Sequence, residues 1–174
     1  MKLSTRNIVF TALFITLGVV FPQAFHAVGL AGQIFSPMHI PVLICGFVCG
    51  LPYAVICGIV TPLLSSAITG MPPIFPVGLS MMAELAAYGL FSALLYKKFN
   101  VYVSLIGAML LGRVVMGIAN TLLIGLAGNP YSFQTFITAA FVTALPGIIL
   151  HIIIVPIIVI ALEKTNLSTN PKRA

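Results

Sequence analysis

The chain has 174 residues, of which 60 % are hydrophobic and 6 % charged, and its mean hydropathy is +1.20. A soluble domain carries about a quarter charged residues, so this composition excludes a water-wetted globule, and the length fits one membrane bundle without a soluble catalytic or nucleotide-binding domain. The net charge of +6 does not gather into a patch of the size nucleic acid requires; the basic residues stand at the ends of apolar runs, where the positive-inside rule puts them.

Lys2 and Arg6 flank the start of the first apolar run, Thr5 to Phe21, which is read as ending before Pro22. Its charged start is like that of a signal peptide, but no small-residue cleavage site follows and more apolar runs do, so a retained helix is expected. An uncharged stretch, Gln23 to Ser36, leads to helix two, Pro37 to Gly50. Fourteen residues rise about 21 Å, short of the roughly 30 Å hydrocarbon core. Helix three runs from Leu51 to Thr69 and ends at the rigid turn Met71-Pro72-Pro73-Ile74-Phe75-Pro76. Helix four covers Val77 to Tyr96, and Lys97 and Lys98 lead into helix five, Asn100 to Ala127. Gly128-Asn129-Pro130-Tyr131 is a turn, helix six runs from Phe133 to Leu162, and the tail 163–174 is polar. The expected fold is an all-α bundle of six transmembrane helices in a single domain. No internal repeat is visible.

Six spans place Lys2, Arg6, Lys97, Lys98, Lys164, Lys172 and Arg173 on one side, and leave the opposite connections without charge. That asymmetry predicts both termini in the cytoplasm of a multi-pass cell-membrane protein.

Two charged residues fall well inside spans, Glu84 in helix four and Arg113 in helix five. Each costs several kcal/mol in lipid unless it is paired or faces water. Two readings stand: a Glu84–Arg113 pair that locks helices together, or residues free for a ligand. Asn120 lies seven residues beyond Arg113 on the same face, and the two suit a ligand carboxylate with its polar neighbours. The alternative for Asn120 is an interhelical hydrogen bond. His39, between Pro37 and Pro41, either lines a site or bonds a local carbonyl. His151 is read as packing in the inner half of helix six. The hydroxyls of Thr61, Ser65, Ser66 and Thr69 are expected to bond their own backbone, as is Thr138, while Gln134 is kept as a site candidate. Cys45, Cys49 and Cys57 all lie in apolar segments and read as small packing residues. No metal site, catalytic triad, HExxH or carboxylate pair is present, so no enzyme is expected. What the residues point to is a polar pocket opening outward.

The stretches SPMHIPVLICGFVCG, TPLLSSAITGMPPIFP, MMAELAAYG, LLGRVVMG and ALPGIILHIIIVP resemble the substrate-binding S components of energy-coupling factor (ECF) transporters, from helix one to helix six. The pattern is most similar to the pantothenate-type branch. The resemblance implies a six-helix protein that captures a vitamin outside the cell with high affinity. It implies partners too: one transmembrane T component and two ATP-binding subunits, which carry ATP and Mg, with no cofactor in this chain. It also implies that the occupied protein topples in the membrane to carry its pocket inward. Docking in that family uses an AxxxA patch on helix one; here the positions read Ala12 to Thr16, with Gly18 close by. Two further departures stand out. Ser65 replaces an expected arginine in Thr61-Pro62-Leu63-Leu64-Ser65-Ser66, and Met116 replaces an expected tryptophan in Gly112-Arg113-Val114-Val115-Met116-Gly117. The substrate-binding set expected is Arg113, Asn120, Glu84, His39 and Gln134. The ligand expected is pantothenate, with riboflavin, folate, pyridoxine, hydroxymethylpyrimidine or cobalamin as alternatives. A carrier of another class, driven by protons through Glu84, remains the competing reading, weakened by the lack of an inverted repeat.

Overall fold

The computed structural model describes residues 4–27, 35–126, 128 and 131–165. Lys2, Lys172, Arg173 and most of the stretch between the first two helices lie outside the described residues, as do Asn129 and Pro130. The described elements are helical: α1 (Thr5–Ala27), α2 (His39–Cys49), α3 (Leu51–Thr69), α4 (Leu79–Leu95), α5 (Val101–Leu126), α6 (Phe133–Ile137) and α7 (Leu145–Lys164).

Five helices are long and apolar enough to cross a membrane: α1, α3, α4 with the turn before it, α5 and α7. The eleven residues of α2 rise about 16 Å, too little to cross. All eleven are buried, as expected of a helix apolar on every side, and Val42, Leu43, Phe47 and Val48 have no exposed surface.

Three boundaries differ from those read in the sequence. Helix α1 continues through Pro22 to Ala27, where an end at Phe21 was expected. Surrounded by lipid, an unwound backbone would leave more polar groups unpaired than the one hydrogen bond proline removes, so the helix carries on. Helix α4 begins at Leu79, after a wide π-type turn over Ile74–Gly78 that contains the extended residue Phe75. The single helix expected over Phe133 to Leu162 is broken. Ser132 caps α6 by accepting the Thr135 N–H at 3.1 Å. A π-type turn over Thr138–Thr143 follows, and α7 restarts at Leu145 with Pro146 in its first turn. Proline there has no N–H to give and crowds the carbonyl four residues back.

Two glycines punctuate the tight connections. Gly50 (φ 85) turns the chain between α2 and α3, and Gly70 (φ 73) ends α3 with its N–H on the Ser66 carbonyl at 3.0 Å. In the proline-rich turn that follows, Ser65 and Ser66 donate their hydroxyls to the Met71 and Pro72 carbonyls at 2.8 and 2.5 Å. Those two serines therefore hold the turn rather than their own helix, unlike Thr61 and Thr69, which bond back to Cys57 and Ser65.

Contacts along the bundle bring one set of helix ends together. Ser4 N–H donates to Tyr53 Oη at 2.9 Å, and Asn7 Nδ2 donates to the Cys49 carbonyl at 3.3 Å. Phe47 packs edge-on to Tyr96, whose hydroxyl donates to Glu163. Arg6, Lys97, Lys98 and Lys164 accordingly stand at a single end of the bundle.

Helices α3 and α4 meet along a reciprocal glycine seam. A Cβ on Gly58 would lie 2.5 Å from the Leu85 backbone, and one on Gly89 would lie 2.5 Å from the Ala54 carbonyl. Such close approach is how membrane helices associate without a hydrophobic driving force. Backbone atoms cannot step aside, so Gly58→Ala and Gly89→Ala should each destabilise the bundle by about 1–3 kcal/mol. Thermal unfolding in detergent checks this: each variant should melt below the parent, and variants that melt with the parent would show that the seam can take a methyl group without cost.

Candidate functional site

Glu84 lies in the second turn of α4 and is 3 % exposed. A carboxylate so placed must be neutralised or hydrogen-bonded, and three helices supply the partners. From α5, Arg113 Nη1 reaches Glu84 Oε1 at 3.0 Å. From the next turn of α4, the Tyr88 hydroxyl donates to the same oxygen at 2.9 Å. From α2, His39 Nε2 lies 3.6 Å from Oε2. The expected locking pair thus exists, with a histidine and a tyrosine added to it.

The local sequence places each member. Gly112 lies directly beneath the Tyr88 ring, so α5 comes close enough for the neighbouring Arg113 to reach the carboxylate. His39 opens α2 just after Ser36, whose positive φ of 45 is uncommon for a residue with a side chain. The Ser36 carbonyl accepts the His39 backbone N–H at 3.0 Å and lies 3.2 Å from His151 Nε2 on α7. The His39 ring stacks on His151, centroids 5.9 Å apart, and tilts against Tyr88 at 5.4 Å. His151 is therefore part of the cluster rather than inner-half packing. Counted from Lys164, His151 lies about 20 Å along α7, level with Glu84 and Arg113, which lie about 17 and about 18 Å from the same bundle end on α4 and α5.

The cluster is incompletely satisfied. His39 Nδ1 and Nε2, Arg113 Nε and His151 Nδ1 are buried and have no hydrogen-bond partner among the described residues. Donors and a ring lone pair held in this way are the equipment of a polar binding site. Met116, in place of the expected tryptophan, sets its sulfur 3.7 Å from Arg113 Nη1. Ser65, in place of the expected arginine, is engaged with the Met71 carbonyl instead.

Other expected site residues fall outside this centre. Asn120 is half-buried and donates to the Tyr131 hydroxyl at 3.3 Å, about 10 Å along α5 from Arg113. Gln134 is exposed on α6. Two cavities line α5. One of about 630 Å³ lies on the Asn120 side of Arg113, among Gly117, Thr121, Tyr131 and Phe136; the other, of about 220 Å³, extends from Arg113 the opposite way, toward Ile106, between α5 and the start of α7. Tyr88, His151 and Ser36 were missed in the sequence as site residues. Tyr88 carried a signal, four residues after Glu84 on one helix face, whereas His151 and Ser36 depend on how α2 and α7 pack.

On α1, Ala12 and Thr16 are exposed, and Thr16 returns its hydroxyl to the Ala12 carbonyl at 2.9 Å. Gly18 faces the other way, buried against Thr61 of α3. The three residues do not form one outward patch. The cysteines are buried and free, with Cys45 Sγ 3.9 Å from Thr11 Oγ1.

The family model described as "ECF transporter, substrate-specific component" matches residues 6–159. No curated protein and no solved structure matches the chain. With most of its length matched, the chain belongs to the ECF transporter substrate-specific component family.

The buried pair makes a prediction that needs no ligand. Removing one partner of such a pair strands the other, at a cost of about 3–5 kcal/mol. Arg113→Met should therefore lower the melting temperature sharply, and adding Glu84→Gln should restore most of the loss. A double variant as unstable as Arg113→Met alone would show that the loss of Arg113 does not strand Glu84.

Proposed function

We propose that this substrate-specific component captures a small carboxylate of the vitamin class, pantothenate being the first candidate, and delivers it to an ATP-driven module for import. The observation that carries the reading is the Glu84–Arg113–His39 centre, a buried ionic group with unused hydrogen-bonding atoms in a chain of a substrate-binding family. As a member of that family the chain is a transport subunit and not an enzyme. Its work is binding, and Arg113 is the side chain suited to a carboxylate, since guanidinium offers paired donors in a plane. The larger cavity, which runs along α5 from Val114 to Leu122, suggests a path to it, with Asn120 and Gln134 nearer its mouth.

The orientation follows from charge. The bundle end that gathers Arg6, Lys97, Lys98 and Lys164 is assigned to the cytoplasm by the positive-inside rule. With α2 counted as a short sixth helix, both termini lie there, and the centre opens toward the outside. The partners in this reading are the T component and two ATP-binding subunits, with ATP and Mg held by the latter. Ala12 and Thr16 on the lipid-facing side of α1 remain the proposed contact with the T component; Gly18, turned into the bundle, is not part of it.

Binding measured on purified protein across a panel of B vitamins tests the reading. Submicromolar affinity for a carboxylate vitamin is expected, weakened at least a hundredfold by Arg113→Lys, which keeps the charge and loses the planar fork. An absence of any submicromolar ligand would defeat the proposal. Uptake into vesicles that hold the chain alone, driven by a pH gradient, would favour the carrier reading instead.

A further inference from the structure

The centre balances its charge without a ligand. Glu84 contributes one negative charge and Arg113 one positive charge, and an imidazole at His39 or His151 adds none unless a proton joins it. All four residues are at most 6 % exposed. If a carboxylate binds Arg113, the cluster holds two anions and one cation in an interior that tolerates no net charge cheaply. Something must restore the balance.

We infer that an incoming carboxylate takes over Arg113 from Glu84, and that one proton enters the cluster with it, onto His39, so that Glu84 exchanges an arginine partner for an imidazolium. The inference rests on the proposed function, in which a carboxylate ligand reaches Arg113, and goes beyond it in stating what binding does to the protein.

Three observations carry it. Arg113 has spare capacity: only Nη1 is placed on Glu84, while Nε is buried without a partner among the described residues. Glu84 need not be stranded when Arg113 turns to the ligand, because Tyr88 holds Oε1 at 2.9 Å and His39 stands 3.6 Å from Oε2. His39 is the base positioned to receive the proton. Both of its ring nitrogens lack hydrogen-bond partners among the described residues, whereas His151 already has Nε2 on the Ser36 carbonyl. The groups facing His39 are Glu84 and Tyr88 from α4, His151 from α7 and, beyond the carboxylate, Arg113 from α5. The other helices packed on α2 bring their described charge and phenol, Arg6 of α1 and Tyr53 of α3, to the opposite end of the bundle, beside Cys49. The step balances: a solvent proton joins a ring-nitrogen lone pair, and no covalent bond to the ligand forms or breaks.

The sign follows from linkage. A ligand that binds together with a proton binds more tightly as pH falls, by at most about tenfold per pH unit for one proton. The test is calorimetry on the purified chain with pantothenate, nicotinate, biotin and folate, in phosphate and in Tris at about pH 7.5, then from about pH 8 to about pH 6, where histidine titrates. The carboxylate that binds should take up close to one proton, read from the difference in heat between the buffers, and its affinity should rise several-fold per unit of falling pH. Glu84→Gln removes the competing anion, so proton uptake should fall toward zero and affinity at pH 8 should increase. His39→Gln should flatten the pH dependence. A carboxylate that binds the parent protein with no proton uptake overturns the inference and leaves the proposed function standing. If no carboxylate vitamin binds, both fall. Full uptake retained by His39→Gln would overturn the assignment to His39. The buffer comparison on the parent protein decides the main point even if a variant does not fold.

Discussion

A carboxylate in a lipid-surrounded interior is the constraint around which this bundle is arranged. Glu84 cannot be solvated where it stands, so its partners must come to it from other helices. Arg113 of α5, His39 of α2 and Tyr88 of its own helix do so within 3.6 Å. Each of those contacts demands a close approach of backbones. Gly112 admits the Tyr88 ring, and the Gly58–Gly89 seam fixes α4 against α3. The short, wholly buried α2 also makes sense in these terms. Too short to cross a membrane unaided, it delivers His39 to the carboxylate at one end and Phe47 to Tyr96 near the other.

The packing is uneven around α5. Toward α4 it is closed, with Gly112 against an aromatic ring and no room for a methyl group. Toward α6 and α7 it leaves cavities, and Arg113 borders one of them. The break at Ala144 belongs to the loose side: a π-type turn and a restarted helix replace a straight ridge that would pack along α5. Wide turns of this kind are frequent at functional sites. One face of Arg113's helix is thus closely packed and positions the charge, while the opposite face borders the two cavities.

Much of this was legible in the sequence because lipid simplifies the code. Apolar runs marked the helices, and charge placement set apart one end of the bundle, where contacts now gather Arg6, Lys97, Lys98 and Lys164. Glu84 and Arg113 stood out as residues with no reason to be in lipid unless paired. What could not be read was rotation and depth. Pro22 suggested a stop, yet α1 continues through it, since a membrane penalises the unwound alternative more than the kink. Asn120 shared a helical face with Arg113 but lies two turns away and belongs to Tyr131. His151 looks deep when counted from Phe133, yet counted from the charged end of the bundle it stands level with Glu84 and Arg113.

The two departures from the family pattern have different consequences for the centre. Ser65 stands where an arginine was expected, and its hydroxyl anchors the proline-rich turn before α4 by meeting the Met71 carbonyl. An arginine there would bring a second cation to the bundle half that holds Glu84; its replacement leaves Arg113 as the guanidinium of the described core. Met116 stands where a tryptophan was expected and presses its sulfur on Arg113. A thioether is narrower and more adaptable than an indole, so the cation has more room on that side. Both replacements lead to the same result. A single arginine, balanced by a single glutamate, sets the charge of the buried centre among the described residues.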